Sequence, residues 1–243
     1  MSEEAARAPI TRDSRAITRL ALAPDASHFL LTPKEVITPK RIEDVAFLMS
    51  EAARTRRPMT FRSGGTSLSG QAVTDKTLVD TRRWFRDVEV LDEGRRVRAG
   101  VGATLSAVNA RLAPYGRRLG PDPTSAIAYT IGGIIANNSS GVLCGTAQNS
   151  YHTLESMVFA LPSGRVVDTA DPAADMTLRL EETHLVGGLH MLRRRLRTNP
   201  DSIAQVNHFF GMKNTMGYGL NALMDFHRPV DIISHLLIGS EGT

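Results

Sequence analysis

Apolar and polar residues alternate along this chain in two periods, and the switches between them predict a mixed α+β protein. Glu35-Val-Ile-Thr38 reads as a short strand. Ile42, Val45, Ala46, Met49, Ala52 and Ala53 then mark one face of a helix over roughly 40–56, with Pro39 suited to its first turn. Arg57–Phe61 returns as a strand, so residues 35–61 form a β-α-β unit. Thr77–Asp80 reads as another strand. Val88–Leu91 and Arg96–Ala99 flank the turn Asp92-Glu-Gly94 as a hairpin. Leu105, Val108 and Leu112 share a face of a helix that begins near Thr104. A second hairpin pairs Met157–Leu161 with Arg165–Asp168 around Pro162-Ser-Gly164, and helical spacing dominates from about 175 to 225. The apolar run Asp231–Ile238 reads as a buried strand, and residues 1–30 as a loosely held leader.

The length of 243 residues suits one large domain or two small ones, at about 150 residues per domain. With 42% hydrophobic and 22% charged residues, the composition excludes wholesale disorder. No apolar run approaches the ~20 residues of a membrane-spanning helix. The acidic start Met1-Ser2-Glu3-Glu4 lacks the base of a targeting signal, so a cytoplasmic protein is expected. One cysteine excludes a disulfide framework and any cysteine-built zinc or iron–sulfur site within these residues. Of the 29 basic residues 25 are arginine, which raises the question of phosphate or nucleic-acid binding. The run Arg193-Arg194-Arg195-Leu196-Arg197 ends a stretch with Leu185, Leu189, Leu192 and Leu196 at helical spacing. Cations in a last helical turn suit the helix dipole without a partner, and no nucleic-acid partner is expected.

Two glycine-rich tracts interrupt the periodic pattern. Gly65-Thr-Ser-Leu-Ser-Gly70 has the spacing of a Walker loop, but Gln71 and Ala72 stand where lysine and a hydroxyl are required. NTP hydrolysis is excluded. What remains is a glycine loop after a strand, whose backbone N–H groups suit a phosphate, with Ser63, Thr66 and Ser67 as added donors. Gly100-Val-Gly102 invites a dinucleotide reading, but Leu105 replaces the third glycine and the preceding strand is a hairpin arm. The second tract runs from Gly120 to Gly145. A stretch of that length without clear elements is usually functional, and Ile127, Ile131, Ile134 and Ile135 argue against disorder.

Together, Arg62-Ser-Gly-Gly-Thr-Ser67, Thr130-Ile-Gly-Gly133, Asn138-Ser-Ser-Gly141 and Gly239-Ser-Glu-Gly-Thr243 resemble the FAD-binding domain of the vanillyl-alcohol-oxidase/PCMH superfamily. The resemblance implies a two-subdomain fold of mixed sheets flanked by helices. It implies that Arg62, Ser63, Gly64, Gly65, Thr66 and Ser67 lie at the FAD pyrophosphate. Pro121, Asp122, Thr130, Gly132, Gly133, Asn138, Ser140, Gly141 and Gly145 would surround the flavin and ribityl chain, with Ile238 and Glu241 near the cofactor. Covalently flavinylated relatives carry histidine at the place of Thr66, so FAD is expected without a covalent bond, and Cys144 as packing.

Within the superfamily, Asn137–Tyr151 and Lys213–Leu223 resemble bacterial FAD/iron–sulfur D-2-hydroxyacid dehydrogenases of the D-lactate and D-2-hydroxyglutarate type. That resemblance implies oxidation of a D-2-hydroxy acid by hydride transfer to flavin N5, with electrons leaving to a further acceptor. The family's substrate domain, metal-ligand histidines and any iron–sulfur cluster follow the point where this sequence stops. Residues 31–243 are therefore expected to be an FAD-binding domain within a longer enzyme, inactive alone. The seven histidines form no H-x-H or H-x-x-x-H pair, so neither a catalytic base nor a metal ligand is assigned. A stand-alone or remnant FAD module, or another PCMH-type oxidase or reductase, is the alternative.

Overall fold

The computed structural model describes residues 10–121, 128–141, 145–215 and 217–241. The first strand is one that the hydrophobic pattern missed. Thr11–Asp13 (β1) pairs antiparallel with Glu35–Thr38 (β2), Thr11 opposite Thr38. It is polar throughout and lies at a sheet edge, so it carries no periodic signal; Arg12 anchors it through Glu35 and, at 2.6 Å, Glu51. Ala16–Ala21 (α1) follows, so much of the expected leader is structured. Helix Ile42–Thr55 (α2) and strands Met59–Arg62 (β3) and Thr77–Asp80 (β4) complete this half. The sheet order is β1-β2-β4-β3. β4 is parallel to both β2 and β3 and separates them, so the β-α-β unit spans a gap that a later strand fills.

Side chains alternate across this sheet as its period requires. Val36 and Leu78 meet Leu22 on one face; Ile37 and Val79 meet Leu48 of α2 on the other. Val88–Leu91 (β5) and Arg96–Ala99 (β6) form the expected hairpin, with positive φ at Asp92, Glu93 and Gly94 in its turn. Helix Leu105–Leu112 (α3) covers it through Val108 and Leu112; Thr104 caps the helix by accepting the Ala107 amide. Two short helices follow, Ile131–Ala136 (α4), inside the tract read as element-free, and Ser150–Thr153 (α5).

Val158–Ala160 (β7) and Val166–Asp168 (β8) form the second hairpin. Ala174–Glu181 (α6), Thr183–Arg197 (α7), Pro200–Phe210 (α8) and Ala222–Asp225 (α9) occupy the region expected to be helical. The run expected as a buried strand is a helix, Pro229–Leu236 (α10). Pro229 occupies its first turn, and Val230, Ile232 and Ile233 enter the core formed with Phe159, Val167, Leu178 and Leu189. Its polar residues Asp231, Ser234 and His235 share one helical face, but Ser234 and His235 are buried with their apolar neighbours, and the apolar runs around them imitate a strand.

Candidate functional site

β3 and β4 are parallel, and ligand sites in such sheets lie beyond the carboxyl ends of the strands. There β3 ends at Arg62 and runs into Ser63–Ser67. Thr81 fixes the exit point, its amide and hydroxyl donating to the Arg62 carbonyl at 3.0 and 3.2 Å. Gly65 has φ +67°, and the α-hydrogen side of Gly64 faces the Ala128 carbonyl too closely for any side chain. Thr66 is half-buried, and Ser67 donates to Gln71 within the loop.

The second tract docks directly beside the first. The Leu105 amide donates to Tyr129 O, Ile131 to Ala103 O and Gly132 to Val101 O, at 2.8–3.0 Å. A β carbon on Gly132 would lie 3.0 Å from Val101 Cβ, so glycine permits this approach. Thr130 Oγ1 donates to Ser63 Oγ at 2.5 Å, and Ser63 Oγ donates to Val101 O at 3.3 Å. The turn Gly100-Val-Gly102, rejected as a nucleotide motif, is thus the shelf on which the second tract rests. It is itself fixed by the Gly102 amide on Phe85 O at 2.7 Å.

α4 carries the tract onward to Asn138, whose φ is +41°. Asn138 Oδ1 accepts the Tyr151 amide at 3.1 Å, and its Nδ2 donates to Asn214 O at 3.0 Å. Ser150 Oγ donates to the carbonyls of Ile134 and Ser139, both at 3.1 Å. Ser140 is buried and its hydroxyl makes no hydrogen bond among the described residues. Gly133 lies in α4, Pro121 is buried, Gly141 is half-buried and Gly145 takes φ +54°. Asp122 and Cys144 lie outside the described residues.

The third tract closes on the same helix. The Gly239 amide donates to Ile135 O at 3.0 Å and the Glu241 amide to Ala136 O at 2.8 Å. Gly239 has φ +85°, and a β carbon there would come 2.8 Å from Gly217 O and 3.4 Å from Asn138 Cβ. Ile238 is buried with Tyr151 and Ala222. Burial pushes the Glu241 carboxyl above its ordinary pKa. α4 therefore touches the first tract at its start and the third at its end, drawing together residues far apart in sequence.

The groups left over suit a large polar ligand. A glycine loop beyond a strand offers main-chain donors to a diphosphate. Ser140 Oγ is a buried polar atom without a hydrogen bond among the described residues, and buried polar groups rarely stay so. Among the described residues no group of three or more His, Cys, Asp or Glu could hold a metal ion.

Comparison with known proteins bears on the same residues. The family model described as "FAD binding domain" matches residues 33–170, more than half of the chain. The chain belongs to the PCMH-type FAD-binding domain family. It is 29% identical over 238 residues to D-2-hydroxyglutarate dehydrogenase of Pantoea ananatis, covering 93% of this chain and 22% of that protein. It is 30% identical over 157 residues to D-lactate dehydrogenase of Archaeoglobus fulgidus, covering 63% of this chain and 34% of the relative. The chain thus spans about a fifth to a third of these relatives' length. Among solved structures, 6-hydroxy-D-nicotine oxidase from Arthrobacter nicotinovorans superimposes with TM-score 0.59 at 19% identity, over 69% of this chain and 37% of that one. Chitooligosaccharide oxidase does so with TM-score 0.58 at 16% identity, over 70% and 36%. These confirm the fold: mixed sheets with flanking helices, as in PCMH-type flavoenzymes. No described helix is long and apolar enough to cross a membrane.

The sequence motifs did not point to Leu22–Phe29, which packs behind the first loop. Two of its contacts with the loop run through backbone groups, Leu22 O and Ala26 N, which leave no mark on residue type, and a third is the Phe29 ring against Gly70. Lys213 and Tyr218 are exposed, on a segment tied to the site through Asn214 and Gly217.

Proposed function

We propose that this chain is the FAD-binding portion of a flavin-dependent oxidoreductase that oxidises a D-2-hydroxy acid, D-lactate or D-2-hydroxyglutarate. The observation that carries the reading is the convergence of the three tracts on α4, through Ser63–Thr130 at one end and Gly239 and Glu241 at the other. The backbone amides of Ser63–Ser67 would hold the pyrophosphate, with the Thr66 hydroxyl as a further donor, while the hydroxyls of Ser63 and Ser67, given to Val101 O and Gln71, would brace the loop. Gly132, Gly133, Ser140, Gly141 and Gly145 would border the flavin and ribityl chain, with Thr130 orienting Ser63 and Asn138 shaping the turn. Ile238 would bring an apolar surface close and Glu241 a carboxyl that burial biases towards its protonated form. FAD, when bound, supplies the acceptor for the hydride removed from the substrate carbon.

The relatives' names, D-2-hydroxyglutarate and D-lactate dehydrogenase, support the substrate class. The wider enzyme, with its electron acceptor and any iron–sulfur cluster, would lie in parts that this sequence does not span. Thr66 in place of a histidine supports FAD held without a covalent bond. The test is to load the purified chain with FAD, remove free cofactor and precipitate with acid. Yellow absorbance is expected to follow the protein through filtration and to enter the supernatant after acid. Protein that emerges colourless from filtration at micromolar FAD contradicts the cofactor assignment, and colour in the acid pellet contradicts its non-covalent hold.

A further inference from the structure

The first loop is braced from behind by a stretch that carries no motif. Arg62 is only 7% exposed. Its guanidinium turns back beneath the loop, and Nη1 donates to Leu22 O at 3.0 Å. A β carbon at Gly65 would fall 2.5 Å from Nη2 and 2.9 Å from Cζ, so the planar group lies flat against the Gly65 backbone. On the other side the Ala26 amide donates to Gly65 O at 3.1 Å. Farther along, the Phe29 ring covers Gly70, where a β carbon would meet Cδ2 at 2.6 Å and φ is +80°. The stretch is itself closed into a loop by the Pro24–Leu30 bridge and the Leu31 amide on Ala23 O. Leu22 anchors it in the core against Val36 and Leu78. Asp25 accepts from Ser27 and leaves its second oxygen buried, so a carboxylate faces the neighbourhood of the arginine.

We propose that residues 22–30 form a built-in clamp on the cofactor loop, and that Arg62 is a positioning residue held in the clamp. This rests on the FAD reading and deepens it. The guanidinium needs no direct contact with phosphate: lodged behind Gly65, it fixes the direction of the loop amides and lends them positive potential. A loop held in its binding conformation before the ligand arrives loses less freedom on binding. The glycines are then required twice, for positive φ and for the close approach of a guanidinium at Gly65 and a ring at Gly70.

The clamp is tested in the full chain without cofactor, by the rate of limited thermolysin cleavage beside Leu68, an exposed loop residue. The variants are Phe29→Ala, Ala26→Pro and Arg62→Met, with Arg62→Lys for comparison. Phe29 is 51% exposed, so its truncation leaves the core intact and keeps the test decisive if Arg62→Met fails to fold. Cleavage beside Leu68 is expected to speed up about tenfold in Phe29→Ala and Ala26→Pro, with cleavage within residues 88–99 unchanged as internal control. FAD affinity, read by flavin fluorescence, is expected to fall by a similar factor in both, and Arg62→Lys to restore less than half of the loss in Arg62→Met. Unchanged cleavage in Phe29→Ala and Ala26→Pro overturns the clamp. So does full restoration by Arg62→Lys, which would mark a simple phosphate-facing charge. If the cleavage responds as expected but the parent chain does not bind FAD, the clamp stands and the cofactor reading falls.

Discussion

His235 stands in an aromatic box. It stacks on Phe226 with ring centroids 4.0 Å apart and meets Tyr151 edge-on at 5.1 Å. Its Nδ1 lies 2.9 Å from the Asp231 carbonyl, which can only accept, so the hydrogen-bond network places a proton on Nδ1. Burial drives the pKa of this imidazole below its ordinary 6.5, against the opposing pull of Asp231 and Asp225; His152 adds to the lowering. Tyr151 OH donates to Asp225 at 2.7 Å, and burial holds that phenol neutral well beyond the usual range. The unfolded chain therefore binds a proton at His235 that the folded chain refuses, between the lowered folded pKa and about 6.5. Stability contributed by the neutral ring is complete above that window and is lost as pH falls through it. Glu241 acts in the opposite sense: its raised pKa means that stability declines as pH rises above about 4.5. Urea midpoints are expected to drop from pH 7.5 to pH 5.5 in the parent and to fall less steeply in His235→Phe. Parallel curves for the two proteins would remove His235 from the account. None of this was legible beforehand, because a histidine in an apolar run looks alike whether it is packed, exposed or catalytic.

At the scale of elements, α10 shows a helical repeat hidden by apolar runs. Asp231, Ser234 and His235 fall at i, i+3 and i+4, a helical spacing, but the runs Ile232-Ile233 and Leu236-Leu237-Ile238 between and after them read as a strand. Pro229 was a second sign, being placed where a first helical turn tolerates it. The opposite failure occurred at β1, too short and polar to produce an alternation, and held by pairing with β2 and by Arg12. The hairpins β5–β6 and β7–β8 were legible because each carries apolar alternation on both arms and turn residues between them. The sheet order was not, since β4 inserts between β2 and β3 through contacts that no local pattern encodes. If α10 is a core helix, Ile232→Ala, at a residue 1% exposed, should cost about 2–5 kcal/mol, with Ile232→Val costing about 0.5–1.5 kcal/mol. Urea denaturation at constant m value measures both. A cost below 0.5 kcal/mol for Ile232→Ala would mean that the α10 contact with the β7–β8 hairpin core is not formed in solution.

Across the whole molecule, the glycines of the candidate site left the plainest mark in the sequence. They are dictated by backbone geometry: positive φ at Gly65 and Gly239, close approach at Gly64 and Gly132. Residue type therefore records the requirement wherever the chain runs. The partners that use those glycines, Ala128 O, Val101, Gly217 O and the clamp at Leu22–Phe29, are mostly backbone and left no such trace. Because the site is assembled from tracts on both sides of α4, FAD should act as a brace between them. A ligand at a hundred times its Kd stabilises the state it binds by about 2.7 kcal/mol. For a chain of this size that is a rise of about 5–10 °C in the unfolding midpoint. ADP offers only the part that the Ser63–Ser67 loop would hold, so at the same concentration its shift should be smaller than that of FAD. Riboflavin, lacking the diphosphate, should do less than either. Thermal unfolding with the three ligands separates the contributions. Equal shifts from ADP and FAD would show that the Thr130–Gly145 tract does not engage the flavin, whereas a shift unique to FAD requires both tracts at once.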